Sequence, residues 1–170
     1  GNGTSKIFRN EGTGEFVDIG MELPQLSNAT AAWGDLTNNG FLDLVMIGGD
    51  TYNQLIATIF SNNGDESFTE LDAGLTGVQN GAIALGDHNN NGWLDILIIG
   101  DSAQGFLTTL YQNNGDDGFT PLDTPDLPDM MLGDAAWADL NNNGLLDLIL
   151  AGSTNQGGLA DIFFNDGNSG

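Results

Sequence analysis

"DLTNNGFLD" at residues 35–43, "DHNNNGWLD" at 87–95 and "DLNNNGLLD" at 139–147 are one nine-residue pattern written three times. The spacing is constant, 87 − 35 = 52 and 139 − 87 = 52. Three copies at a fixed period mark a repeat architecture rather than a chance turn. The flanks recur as well. "AAWG", "IALG" and "AAWA" stand before the loops, and "LDLVMIGG", "LDILIIGD" and "LDLILAGS" lead out of them. These short apolar runs end at Gly48, Gly100 and Gly152 and read as strands covered on both faces. "IFSNNG" (59–64), "LYQNNG" (110–115) and "IFFNDG" (162–167) each read as a strand closing in an Asx/Gly turn. A fourth strand begins at Phe16 ("FVDIG"), Phe68 ("FTELD") and Phe119 ("FTPLD").

Four short strands per unit of roughly 50 residues, with no helical periodicity, are the signature of a propeller blade. The expected architecture is therefore all-β, a β-propeller of four-stranded antiparallel blades with about three blades per chain. It forms one module over residues 1–170: a strand of a preceding blade in 1–15, then repeats at 16–67, 68–118 and 119–170. "IFRNEG" (7–12) is a further copy of the third strand, so the chain is expected to enter midway through one blade and to end after a third strand. Propellers close with about 4–8 blades. Either the chain is a sector of a longer ring, or several copies complete one ring. The second is favoured, because an open sector exposes an apolar blade face and sheet edges. The duplicated third strand complicates it, since two copies compete for one slot.

Charge narrows the partners. Of 170 residues 24 are acidic and only Lys6 and Arg9 are basic, a formal net charge of −22. Such a field repels nucleic-acid phosphates and anionic lipid and favours cations, so neither nucleic-acid binding nor membrane insertion is expected. The 39% of hydrophobic residues argue against disorder. Without cysteine there is neither a disulfide framework nor a thiolate site. No apolar run is long enough to span a bilayer, and "GNGTSKIFRNEG" is no signal peptide; an export signal would lie outside this chain.

Calcium takes six to eight oxygen ligands from carboxylates, amide side chains, backbone carbonyls and water. Each loop offers side-chain oxygens at positions 1, 3, 5 and 9 and a carbonyl at position 7. The candidate ligands are Asp35, Thr37, Asn39, Phe41 and Asp43 in the first loop, and Asp87, Asn89, Asn91, Trp93 and Asp95 in the second. In the third they are Asp139, Asn141, Asn143, Leu145 and Asp147. An EF-hand is ruled out, because Met46, Ile98 and Leu150 stand where its bidentate Glu is required. The competing reading needs no metal: Asx side chains can bond the amides of their own loop. An Asp at position 9 in every copy, leading a buried strand, favours the ion.

"GDHNNNGWLDILIIG" followed by "LYQNNGDDGF" resembles the FG-GAP/VCBS repeats of integrin-type β-propellers, and the resemblance covers essentially the whole chain. It implies Ca2+ in the hairpin between the first two strands of each blade, held by the residues named above in a structural role. It also implies an extracellular or cell-surface setting. The chain departs from that family at position 5, where Asn39, Asn91 and Asn143 replace the usual Asp and leave two carboxylates per loop. Weak sites follow, near the ~10⁻⁴–10⁻³ M of extracellular modules, with Thr37 making the first loop the poorest.

The remaining chemistry is sparse. His88, the only histidine, replaces Leu36 and Leu140 and is expected to face solvent. Asp65, Glu66, Asp116 and Asp117 follow the "NNG" turns and read as solvated tips. Trp33 and Trp137 share a repeat position with Leu85 and are expected between blades; Trp93 either covers the blade edge or stacks on a sugar. "TYNQLIAT", "SAQGFLTT" and "STNQGGLA" are expected to form variable binding loops. No nucleophile elbow, phosphate-binding loop or zinc pattern is present. The expected function is a calcium-stabilised, non-catalytic binding or scaffold module, self-assembling and open to a protein or glycan ligand. The alternatives are a calcium-assisted lectin and an appendage of a secreted enzyme.

Overall fold

In the computed structural model, which describes residues 4–115 and 118–167, every regular element is a strand. A short pair, β1 (Phe8–Asn10) and β2 (Phe16–Asp18), comes first. Blade 1 follows as β3 (Ser27–Gly34), β4 (Asp43–Gly49), β5 (Leu55–Asn62) and β6 (Phe68–Leu71). Blade 2 comprises β7 (Val78–Gly86), β8 (Asp95–Ser102), β9 (Gly105–Asn113) and β10 (Phe119–Pro121). Blade 3 has β11 (Met131–Ala138), β12 (Asp147–Thr154) and β13 (Gly157–Phe163). Each blade is an antiparallel meander with its strands in chain order, so the chain is a β-propeller sector. The 52-residue repeat frame is offset from the sheets by one strand: residues 16–67 hold β2 with the first three strands of blade 1.

The apolar runs are buried on both faces because each second strand lies between two cores. Ile96 and Ile98 of β8 point back at Val45, Ile47 and Ile59 of blade 1, together with Leu36, Val78 and Tyr111. Their neighbours Leu97 and Ile99 point forward, with Leu110, at Met130, Leu148 and Leu150 of blade 3. The two-residue alternation of a strand thus supplies both blade junctions. Each fully buried Ile or Leu contributes about 2 kcal/mol. The outer face of blade 1, Leu26, Leu44, Met46 and Phe60, is partly covered by Ile7, Met21 and Leu23.

Each first strand carries a register shift at one repeat position, between Ser27 and Thr30, Gln79 and Ala82, and Met131 and Asp134. Asn28, Asn80 and Leu132 take the left-handed backbone there, with φ of 49, 53 and 50°. The bulge brings backbones together: a Cβ on Gly81 would lie 1.8 Å from the Ile99 carbonyl oxygen.

Several expectations are corrected. The supposed variable loops are mostly strand: Leu55–Thr58, Gly105–Thr109 and Gly157–Ala160 belong to β5, β9 and β13. Compact turns shorten them, closed by Asp50 Oδ1 accepting the amides of Tyr52 and Gln54, and by the hydroxyls of Ser102 and Thr154 donating to the Gly105 and Gly157 carbonyls. Trp137 does sit between blades, its ring against Gly86. Trp33 does not; among the described residues only the β1–β2 pair precedes its blade, and it is 47% exposed and tilts toward Phe68 with centroids 6.3 Å apart.

Candidate functional site

The three Asn-rich loops join the first and second strands of their blades, and their hydrogen bonding repeats almost atom for atom. At position 1 both oxygens of Asp35 accept loop amides, Oδ1 from Asn39 at 3.1 Å and Oδ2 from Gly40 at 3.0 Å. Asp87 does the same for Asn91 and Gly92, and Asp139 for Asn143 and Gly144. At position 3, Asn89 and Asn141 accept the amides of Asn91 and Asn143. Position 5 works in both directions: Asn39, Asn91 and Asn143 accept through Oδ1 from the amides of Phe41, Trp93 and Leu145. Their Nδ2 groups donate to the carbonyls of Asn62, Asn113 and Asn165. The glycine at position 6 is required, with φ of 85–88° in all three copies.

Position 9 is fully buried in every copy. A buried carboxylate needs donors, and these come from two directions. Oδ1 of Asp43, Asp95 and Asp147 accepts the amides of Asn62, Asn113 and Asn165, tying the loop to the end of the third strand. Oδ2 accepts from position 2, the amides of Leu36, His88 and Leu140. In the first loop Thr37 adds its amide and its hydroxyl to the same oxygen. In the second, the His88 ring nitrogen Nδ1 lies 2.5 Å from it. His88 is thus packed on a buried carboxylate with its side chain 17% exposed, not facing solvent as expected.

The ligand set can be tested against this geometry. A carboxylate has about four lone-pair positions and an amide oxygen two. Asp43 Oδ2 already accepts three hydrogens, and Thr37 Oγ1 is a donor to it, which leaves the first loop least able to receive a cation. In the third loop Asp139 and Asp147 each accept one hydrogen per oxygen, and Asn141 and Asn143 one each. The third loop therefore keeps the most free lone pairs and fits a hard cation best; the second is intermediate. No three His, Asp or Glu side chains among the described residues group as a metal cluster.

Two sets of residues that looked like plain turn formers join the blades. The position-4 asparagines lie at φ of 51–57°, a backbone Asn tolerates. Asn38 Nδ2 donates to the Gly92 carbonyl of the next blade at 2.9 Å, and Asn90 to that of Gly144 at 2.6 Å. The first Asn of the later turns reaches backward. Asn113 Nδ2 donates to the carbonyls of Leu94 in its own blade and Leu36 in the blade before, and Asn165 to Leu146 and His88. Their signal in the sequence is the same amide at the same repeat position, 62, 113 and 165.

At the turn tips, Asp65 caps the Ser67 amide and hydroxyl, which holds its carboxyl below the usual range, and Glu66 pairs with Arg9. Asp116 and Asp117 lie outside the described residues. Trp93 is half-buried with its indole on Gly115, as Phe41 lies on Gly64. The indole therefore covers that turn at the blade edge.

No curated protein matches the chain. Among solved structures, it is similar to an Agrocybe aegerita lectin whose structure is described as the basis of specific recognition of non-reducing terminal N-acetylglucosamine. The TM-score is 0.54 at 21% identity, over 94% of this chain and 47% of that one. The chain thus spans about half the length of that structure. A family model, the FG-GAP-like repeat, matches twice, at residues 35–98 and 87–150. Both matches begin on the first Asp of a loop and run through the next, so this chain belongs to the FG-GAP-like repeat family.

Proposed function

We propose that this propeller is a non-catalytic binding module whose loop carboxylates serve architecture. The observation that carries the reading is the use of those carboxylates: both Asp residues of every loop accept N–H groups through both oxygens, within a family of generally non-catalytic propellers. A general acid or base needs a side chain free to meet substrate, and these are committed to holding their hairpins. Calcium, in this reading, seats first in the third loop, between Asp139, Asn141, Asn143, Leu145 and Asp147. It supplies charge compensation for the paired carboxylates and so ties the hairpin into the blade. An extracellular or cell-surface setting suits such weak sites.

The test is a thermal melt in excess EDTA against a calcium series, with magnesium as control. A saturable calcium-specific rise in Tm is expected, smaller in Asp139→Asn than in Asp35→Asn. Identical melts in EDTA and in calcium would sink the ion-site reading and leave self-capped turns.

A second reading, a calcium-assisted lectin, is favoured by the lectin among the similar folds and by the partly open indole of Trp93 at the loop rim. Binding on a glycan array that Trp93→Ala abolishes without lowering Tm would support it; an array with no binding would refute it.

A further inference from the structure

Blades 1 and 3 each leave one face without a neighbouring blade among the described residues, and these faces carry opposite halves of the contacts that join the inner blades. On the forward face of blade 3, Asn142 holds the same left-handed backbone as Asn38 and Asn90, at φ 57°, but meets no acceptor among the described residues. Leu140 is 43% exposed where Leu36, at the same repeat position, is 2% exposed under blade 2. On the backward face of blade 1, Leu42 is 56% exposed, whereas its repeat mates Leu94 and Leu146 pack on Gly34 and Gly86 of the preceding blade. Asn62, mate of Asn113 and Asn165, bonds the Leu42 carbonyl of its own blade but reaches no earlier one.

We infer that the two faces meet between copies of this chain, and that two copies close one ring. Advancing each inner contact by one blade names the new ones. Asn142 of one copy donates to the Gly40 carbonyl of the other, whose Asn62 donates to the Leu140 carbonyl of the first. Leu42 of the second copy covers Ala138 and Leu140 of the first. Two copies are inferred because the lectin chain of similar fold, of which this chain covers 47%, is about twice as long. Two-fold closure forms two such junctions and leaves no open face.

Two features oppose the fit, and each has a consequence. A Cβ on Gly86 would lie 2.7 Å from the Trp137 ring, and Ala138 carries that Cβ at the equivalent place. Trp33 therefore stays over Phe68 at the new junction instead of copying Trp137. The seat before blade 1 also holds β1 and β2. That pair has three residue pairs, whereas β13 is laddered to β12 through seven. At the third-strand slot β13 keeps its place and β1 is displaced.

Light scattering across a concentration series tests the inference. A species of twice the chain mass is expected. Asn142→Gly keeps the left-handed backbone and removes one hydrogen bond at each of two junctions, so it should weaken dimerisation roughly thirty-fold. Leu140→Asp should abolish it, while Ala138→Gly strengthens it. Asn38→Gly, an inner latch, should lower Tm and leave the dimerisation constant unchanged. A monomer at every concentration overturns the inference, as do open assemblies that grow with concentration. So does a dimer indifferent to Asn142→Gly and Leu140→Asp in variants that keep the parent circular dichroism.

Discussion

Exchanging Asn113 for aspartate reverses two hydrogen bonds while changing almost no volume. The side chain is 1% exposed; Nδ2 donates to the Leu36 carbonyl at 2.8 Å and the Leu94 carbonyl at 3.1 Å, while Oδ1 accepts the Gly115 amide. Asn113→Ala loses all three bonds, about 3 kcal/mol at ~1 kcal/mol each. Asn113→Asp keeps the Gly115 bond but points a carboxylate oxygen at two carbonyls beside Asp95. It loses about 2 kcal/mol of donor bonds, and burying the unpaired charge adds roughly 3 kcal/mol more. At neutral pH the order of stability should be wild type, then alanine, then aspartate. The pH dependence has a definite sign. Burial near carbonyls raises the folded pKa of the new carboxyl above its unfolded value of about 3.9. Below that value the carboxyl is neutral in both states, can donate to one carbonyl, and carries no charge penalty. As pH rises toward the folded value the variant loses about 1.4 kcal/mol per unit relative to wild type. Urea unfolding of the three proteins between pH 4 and 7.5 measures this. If the aspartate variant matches alanine at pH 7, or its deficit is flat with pH, the amide does not join the two blades as described.

Leu132 occupies a left-handed bulge at φ 50° where the other repeats carry Asn28 and Asn80, and it is largely exposed. Leu132→Asn should therefore raise stability by about 0.5–1 kcal/mol, read by urea melt; a loss would mean that the leucine packs. Gly81→Ala and Gly92→Ala separate contact from strain. The first drives a Cβ to 1.8 Å from a carbonyl oxygen and should prevent blade 2 from folding, whereas the second meets open space at φ 88° and should cost about 1 kcal/mol. Comparable Tm values for the two would contradict the bulge geometry. The Lys6 ammonium, followed by the Gly20 amide, holds the Asp18 carboxyl below its ordinary 3.8. The contribution of that pair to the β1–β2 hairpin is complete above pH 3.8 and fades as pH falls through the lower folded value. At protein concentrations below dimerisation, the hydrogen-exchange protection of the Ile19 amide, bonded to the Ile7 carbonyl, should fall over that range in the wild type and be absent throughout in Lys6→Met. Protection in the variant would remove the pair from the account.

What could be read in the sequence was what repeats along the chain. Burial of the "ILII" run on both faces followed from a short, unbroken apolar strand, and β8 places alternate residues in two cores. The loop positions were legible because Asp and Gly recur at fixed offsets. What escaped depended on neighbours that lie a full repeat away. Asn113 looked like a turn residue because half of its bonding is to Leu36, which no local pattern reveals. Trp33 and Trp137 are indistinguishable by repeat position, yet among the described residues Trp137 has a blade behind it and Trp33 has only the β1–β2 pair. His88 looked solvent-facing because leucines hold its place elsewhere, whereas imidazole finds the buried Asp95 carboxylate that every copy of the loop contains.

The reach of the asparagine latches has an evolutionary consequence. Asn38 and Asn90 each bond 54 residues ahead, and Asn113 and Asn165 each bond 77 residues back, so no latch extends beyond the adjacent blade. An in-frame duplication or loss of one repeat gives every donor at an inner blade junction an acceptor with the same local surroundings. Recombination that adds or removes one whole repeat can therefore lengthen or shorten such a chain by whole blades without any compensating substitution at the latches. Blade number in such a lineage can drift by recombination, while substitutions within a blade remain constrained by the latches on both sides.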